Sequence, residues 1–288
     1  MSFSLGIGIV TYNRKDTLRE TIDQVRALTR EPNAAYVVAD DGSSDGTLAM
    51  LRAMRIPVVT GTNMGIAWNK NRALFVLSQL LGCETVILLE DDCRPAEAAW
   101  ESQWMSAARR LGHVNYAGEW IRQFFLSGSG TADDPVRSTM VTAQCTAFSR
   151  TALTYAGYLD PRFSGYGHEH VEHTRRLIRL GYGGNEEQHD GKEQVVYHLI
   201  KGGITVVDSI SHGNPEAAEC NLMLARQLMA EQGYRAPWRD DRQLRQFRSE
   251  TESSFGSDPA RFAVHAAPAV AGPHPRGLLS RFLGRTHR

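Results

Sequence analysis

Short apolar runs alternate with amphipathic stretches along the first ninety residues. Gly6–Thr11, Ala35–Ala39, Pro57–Thr60 and Thr85–Leu89 are each too short for a helix and are bounded by turn residues. Such runs read as buried strands of a parallel sheet. Between the first two, Leu18, Ile22, Val25 and Leu28 recur at helical spacing behind Asp16, an N-cap residue type. Further helices are predicted over 47–54 and from Asn63 to about Leu81. Repeated β-α-β units imply an α/β fold with a mainly parallel sheet, right-handed crossovers and flanking helices.

The middle of the chain is less regular. A helix is expected over 96–111, with Trp100 and Trp104 on one face, and a strand from Thr139 to Phe148. Ser127 to Pro135 has loop composition and reads as a lid. A helix over 169–180 is stopped by Gly181-Tyr-Gly-Gly184. Val195–Ile200 and Ile204–Ser209, split by Lys201-Gly-Gly203, read as a hairpin. A helix over 215–232 closes the expected core, so the main domain is 1–235. Residues 236–288 read as a C-terminal extension. Its segment 239–254 is charged and short of large apolar residues, and Ala263 to Pro275 is linker-like. The end, Gly277 to Arg288, is short, amphipathic and basic, which offers peripheral contact with a membrane surface.

Composition narrows the functional classes. The 288 residues hold 32 basic and 32 acidic side chains, so overall charge gives no reason to expect nucleic acid. The four cysteines are scattered without a C-x-x-C pair, which argues for free thiols in a reducing compartment and against a cysteine zinc site. The first residues lack a basic leader and a long apolar core, and no run has transmembrane length. The expected location is cytoplasmic, with a peripheral position at the cytosolic membrane face left open.

The chemistry concentrates where strands end. Thr85–Leu89 runs into three consecutive carboxylates, Glu90, Asp91 and Asp92. Carboxyl ends of strands are where open α/β sheets bind ligands. Adjacent like charges need compensation, and a hard cation bridging to a phosphate supplies it; a solvated acidic turn is the alternative. Asp40 and Asp41 end the second strand in the same way. His168, His170 and His173 form an H-x-H-x-x-H spacing that is poor for zinc.

Four segments, each at a strand-to-helix junction, come in order: Ile9-Val-Thr-Tyr-Asn-Arg14, Val38-Ala-Asp-Asp-Gly-Ser-Ser-Asp-Gly-Thr47, Asn63-Met-Gly-Ile-Ala-Trp-Asn-Lys-Asn71 and Leu89-Glu-Asp-Asp92. Together they resemble the nucleotide-sugar half of a family 2 glycosyltransferase with the Rossmann-like GT-A fold. The resemblance runs through residues 5 to 232. It implies that Asp40, with Asp41 beside it, binds the base edge of a nucleotide, typically uracil. It sets Thr11, Tyr12, Asn13 and Arg14 against base and ribose, and Asn63, Gly65 and Lys70 along the base and diphosphate. Glu90-Asp-Asp92 aligns with the family's D-x-D motif, with Glu in place of the first Asp. Asp92 is then the direct ligand of Mn2+ or Mg2+, and Glu90 or Asp91 contacts ribose or metal-bound water.

The resemblance extends to Gly165-Tyr-Gly-His-Glu-His-Val-Glu-His-Thr-Arg-Arg-Leu177. Glu169 falls on a family Glu, His170 stands where the family's Asp base is usual, and Glu172 falls on a nearby acid. Either Glu169 or His170 is the implied base. A histidine metal ligand after this helix would be His198 or His212. Trp104 and Trp120 are acceptor-stacking candidates.

The resulting expectation is a metal-dependent inverting glycosyltransferase. It would use a nucleoside diphosphate sugar, UDP-sugar by resemblance, and a hydroxyl acceptor that is a saccharide, a lipid-linked saccharide or a protein. A nucleotidyltransferase would want a Gly-rich phosphate loop after the first strand, and Val10-Thr-Tyr-Asn13 has none. A non-catalytic sugar-nucleotide-binding protein is the other alternative, and turnover separates it.

Overall fold

The computed structural model describes residues 3–189, 191–207, 215–231, 233–255 and 259–264. In chain order the elements are β1 (Leu5–Thr11), α1 (Lys15–Leu28), β2 (Ala34–Asp40), α2 (Thr47–Ala53), β3 (Val58–Thr60), α3 (Ile66–Phe75, continued by a π turn Val76–Leu80), β4 (Thr85–Glu90) and β5 (Cys93–Pro95). There follow α4 (Glu101–Leu111), β6 (His113–Tyr116), β7 (Phe125–Ser127), β8 (Val136–Ser138), β9 (Cys145–Ser149), α5 (Arg150–Ala156) and α6 (Glu169–Arg179). The last are β10 (Gly184–His189), β11 (Lys192–Ile200), β12 (Ile204–Val206), α7 (Pro215–Leu228) and α8 (Asp241–Phe255).

The strands β1, β2 and β4 follow the apolar runs of the sequence, because each is buried on both faces; β3, at the sheet edge, is half-buried at Val58 and Thr60. Leu5, Ile7 and Ile9 of β1 join Tyr36, Val38, Ile87 and Leu89 in a core closed by α1 and α4. The intervening positions, with Val37, Val86 and Leu88, face α3 and α5. Period-2 alternation with both faces apolar is what a helix-covered parallel sheet requires.

Among the described residues the main sheet has ten strands in the order β3-β2-β1-β4-β9-β6-β11-β8-β7, with β10 on β11. The β3-β2-β1-β4 half is parallel. Beyond it β9 runs antiparallel to β4 and β6, and β11 is parallel to β6 but antiparallel to β8 and β10. The sheet is therefore mixed rather than wholly doubly wound.

Three expectations change. The hairpin over 195–209 does not form: β11 lies in the main sheet, whereas β12 pairs β5 in a small second sheet. The loop expected as a lid is the turn of the β7–β8 hairpin, tied by Ser129 N–H to Asp134 Oδ2 at 2.8 Å and Gly130 N–H to Asp134 O at 2.9 Å. Described residues of the extension, among them Phe247, Phe262 and Val264, are part of the core. Phe247 of α8 is fully buried and meets Trp68 and Phe75 edge-on at 5.3 and 5.4 Å. Val264 N–H then donates to Ala34 O at the edge of β2. The rest of the linker-like stretch and the basic end lie outside the described residues. None of the described helices is long and apolar enough to cross a membrane.

His113 gives the fold a pH dependence. It is buried, stacks on Phe148 at 4.6 Å and sits 2.9 Å from Ala147 O through Nδ1. Burial lowers its pKa to about 4. A histidine held neutral in the fold but free to charge when unfolded costs stability as pH falls from about 6.5 towards 4. The slope is about 1.4 kcal/mol per pH unit once pH is well below 6.5. The unfolding free energy, measured by denaturant titration from about pH 6.5 to 5, should fall with pH more steeply for wild type than for His113→Gln, the difference approaching this slope at the acid end. Parallel profiles would refute it.

Candidate functional site

The carboxyl ends of β1, β2 and β4 bring the predicted acids to one edge. Thr11 is in register with Asp40, and its hydroxyl donates to Asp91 Oδ2 at 2.7 Å. Arg14 Nη1 donates to Asp91 Oδ1 at 2.7 Å and to Asp92 Oδ2 at 3.1 Å. Asp91 and Asp92 are both buried. Burial raises the Asp91 carboxyl to about 7; Thr11 and Arg14 pull it down, and the charges of Asp92 and Glu90 push it up again. Arg14 thus neutralises part of a carboxylate cluster that remains too negative for its surroundings.

Asp40 and Asp41 divide their work. Asp40 is fully buried, and its Oδ2 accepts from the N–H groups of Gly42 and Ser43 at 3.1 Å and from Thr60 Oγ1 at 2.8 Å. Its Oδ1 is buried with no hydrogen-bond partner. A buried lone carboxylate oxygen wants a donor. Asp41, by contrast, is fully engaged. It accepts from Met64 N–H at 3.0 Å, Gly65 N–H at 2.9 Å and Arg72 Nη1 at 2.8 Å. Its place is under the loop that carries Met64 and Gly65, so the expectation that it contacts the ligand gives way to a scaffolding role. Asn13 is similarly spent, accepting from Ser44 N–H at 2.7 Å in a left-handed conformation. Tyr12 and Asn63 are exposed and Gly65 is half-buried.

Arg72 and Glu250 escaped sequence reasoning. Arg72 is fully buried on α3, and its Nε donates to Glu250 Oε2 at 3.0 Å. Glu250 also accepts from Trp68 Nε1 at 2.9 Å. A charged residue on a helix buried all round is a local signal for Arg72; Glu250, far along the chain, has none.

A second group lies between β4 and α6. The buried Lys70 Nζ donates to Glu90 Oε1 at 2.9 Å. Burial works against its charge, but Glu90 and Glu169 prevail and raise its pKa. Glu169 opens α6 and is buried. Burial favours its neutral form, but His170 and then Lys70 outweigh this and hold the carboxyl at about 2. His170 Nδ1 is 3.4 Å from Glu169 Oε1. A small cavity beneath is lined by Lys70, His113, His170 and His173 among others.

Other predicted site residues are placed elsewhere. Glu172 does not face this group: Arg176 grips it with Nε at 2.9 Å and Nη2 at 3.0 Å, both side chains being 2% exposed. A carboxylate locked in a buried fork is structural. His198 sits on β11 opposite Arg137, and the charges that act on it are Arg137, Arg110 and Glu187 rather than the β4 acids. It is therefore not set up as a ligand beside Asp92. His212 lies outside the described residues. His173 is a core residue 3.0 Å from Gly157 O. Trp104 is fully buried and donates to Gly202 O, so it stacks on no acceptor; Trp120 is exposed.

Among the described residues no three His, Cys, Asp or Glu side chains are gathered to hold a metal. The donor set still fits Mn2+ or Mg2+ of a particular kind. Magnesium-type sites use one or two carboxylates and take the other ligands from phosphates and water. Buried hard-oxygen donors with a carboxyl raised to about 7 supply the first part.

Residues 7–125 match the family model described as Glycosyl transferase family 2. No curated protein sequence matches the chain. Among solved structures, that of GalNAc-T7 with UDP, GalNAc and Mn2+ superposes with a TM-score of 0.55 at 13% identity, covering 92% of this chain and 58% of that one. TarS from S. aureus superposes at 0.50 and 13% identity, covering 89% and 44%. The mannosyltransferase PcManGT from Pyrobaculum calidifontis, with GDP-Man and Mn2+, gives 0.48 at 16% identity, covering 92% and 69%. The chain thus spans 58% and 44% of GalNAc-T7 and TarS. At these identities the likeness is one of fold. Family model and fold agree in kind: residues 7–125 match the glycosyl transferase family 2 model, and the fold is similar to that of the GT-A glycosyltransferases on which the chain superposes.

Proposed function

We propose that this protein is a metal-dependent, inverting glycosyltransferase that moves a sugar from UDP to a hydroxyl acceptor, with His170 as the base. The observation that carries the reading is the Glu169–His170 pair on α6, electrostatically coupled through Lys70 to the acid-ended strand β4.

Uracil suits Asp40. Its one buried, unpartnered oxygen can take the single imide N–H of uracil, whereas guanine presents two adjacent donors that ask for both oxygens. Asp92 would hold Mn2+ or Mg2+, which when bound neutralises the departing diphosphate. Arg14, already on Asp91 and Asp92, is close enough to share that charge.

Single displacement forms a bond from the acceptor oxygen to the anomeric carbon as the bond to the diphosphate breaks, and the hydroxyl proton must go to a base. A carboxyl held at about 2 is a weak proton acceptor, which disfavours Glu169. Glu169 instead accepts from His170 Nδ1–H, which leaves Nε2 with its lone pair. The 3.4 Å separation is long, as catalytic hydrogen bonds often are before substrate tightens them.

Asp92→Asn should weaken Mn2+-dependent UDP binding at least about tenfold, measured by titration calorimetry with and without the metal. Unchanged affinity would remove the metal assignment. GDP binding as tightly as UDP would remove the base assignment at Asp40. A protein that binds UDP and Mn2+ but neither hydrolyses nor transfers from any UDP-sugar would refute the transferase reading.

A further inference from the structure

Beside His170 a cleft of about 500 Å3 opens between α6 and α7. His168, Val171 and Arg175 line one wall, and Leu222, Arg226 and Met229 the other. Both sets follow helical spacing, so each wall is one helix face. His170 lines this cleft as well as the small cavity that Lys70 shares, so the cleft leads to the proposed base.

Its two arginines differ from the others near the site. Arg14, Arg72, Arg162, Arg176 and Arg235 all pair with carboxylates. Arg175 instead points Nη1 at Met229 Sδ, 2.7 Å away, and its Nε is buried with no hydrogen-bond partner. Arg226 Nη1 is 3.8 Å from Met223 Sδ. Among the described residues neither has a carboxylate within salt-bridge distance. A thioether is a weak acceptor, and it leaves a guanidinium uncompensated. The two acids of α6 that might help are committed: Glu169 to His170, and Glu172 to Arg176. Burial lowers the pKa of His168, and His170 and Arg226 lower it further against the opposing pull of Glu169. The remaining walls are mainly apolar, with Met140, Val141 and Ala225, and carry the hydroxyl-bearing side chains of Thr139, Tyr166 and Tyr197.

A pocket with largely apolar walls, one half-buried and one exposed guanidinium that no carboxylate pairs, and the base at its edge is complementary to one kind of occupant. We infer that this cleft is the acceptor subsite and that it selects hydroxyl acceptors carrying an oxyanion, carboxylate or phosphate, next to an apolar portion. Guanidinium forks bind such groups bidentately, and the surrounding thioethers and aliphatic groups take the apolar part. The inference rests on the transferase reading for the word acceptor, but the selectivity itself concerns binding alone.

The test titrates the full chain, with UDP and Mn2+ present, with three probes: hexyl phosphate, hexyl β-D-glucuronide and hexyl β-D-glucoside. The two anionic probes should bind about tenfold or more tighter than the neutral glucoside, as expected for charge-assisted hydrogen bonds in a partly buried site. Arg226→Gln, at an exposed position that folding tolerates, and Arg175→Gln should each remove most of that preference and leave glucoside affinity within about twofold. Comparing phosphate with glucuronide tells which oxyanion is preferred. Equal affinity for anionic and neutral probes would overturn the inference, as would a preference that survives both substitutions. The same titration without nucleotide separates the two readings. If UDP and Mn2+ fail to bind while hexyl phosphate does, the donor assignment fails and the anion subsite stands.

Discussion

His170→Ala is expected to slow sugar transfer by about 10²- to 10⁴-fold, the usual worth of a general base, while UDP affinity in the presence of Mn2+ stays near wild type. The side chain lies on the cleft side of α6 and touches none of the groups around Asp40 that would hold the base. Its loss should therefore appear in kcat far more than in donor binding. Glu169→Gln is the informative companion. It keeps the size of the side chain and an oxygen to accept from His170 Nδ1, but removes the negative charge that steadies a protonated imidazole. Its effect should be smaller, about ten- to a hundredfold in kcat, and Glu169→Asp should recover part of it. The reverse order, with His170→Ala near normal and Glu169→Gln dead, would make Glu169 the base despite its low pKa.

The largest stability effect is expected at Arg72. Arg72→Met leaves the carboxylates of Asp41 and Glu250 without their shared cation inside the fold. Removing one partner of a buried ion pair costs about 3–5 kcal/mol. For a chain of this size that is a fall in the thermal midpoint of about 6–20 °C. Asp41→Asn should cost less, because the amide oxygen can still accept from Met64 or Gly65. Both should weaken UDP binding, since the loop that Asp41 braces carries Gly65 and leads to α3. Arg72→Met with an unchanged midpoint would show that hydrophobic replacement compensates, as it does in some buried ion pairs. A double cycle with Asp41→Leu would then show no coupling.

How much of this was legible in the sequence depended on how local the signal was. The strands β1, β2 and β4, with the acid-bearing ends of β2 and β4, were readable, because burial on both faces writes itself as short unbroken apolar runs. Asp40, Glu90–Asp92, Lys70, Glu169 and His170 stand at junctions that the sequence marks. Asp41 and Glu172 could not be separated from ligand-binding acids, because their partners, Arg72 with the Met64–Gly65 amides and Arg176, are set by packing. The C-terminal segment misled for a similar reason. Its helix α8 is mostly charged and enters the core through few large side chains, Phe247 foremost, while Glu250 finds its partner in α3. The hairpin over 195–209 failed because turn chemistry at Lys201-Gly-Gly203 fixes the bend but not the sheet each arm joins.

The loop before α3 and the loop before α6 meet backbone to backbone. Gly65 has φ +91°, and a Cβ there would lie 2.7 Å from Gly165 N, while Ile66 N–H donates to Gly165 O. The loop before α3 and the loop before α6 are thus held in register by main-chain atoms at this point. Substitution elsewhere around the cleft can retune the acceptor without moving this seam. Across diverging relatives, Gly65 and its contact with Gly165 should change last, while the α6 and α7 faces that line the cleft drift.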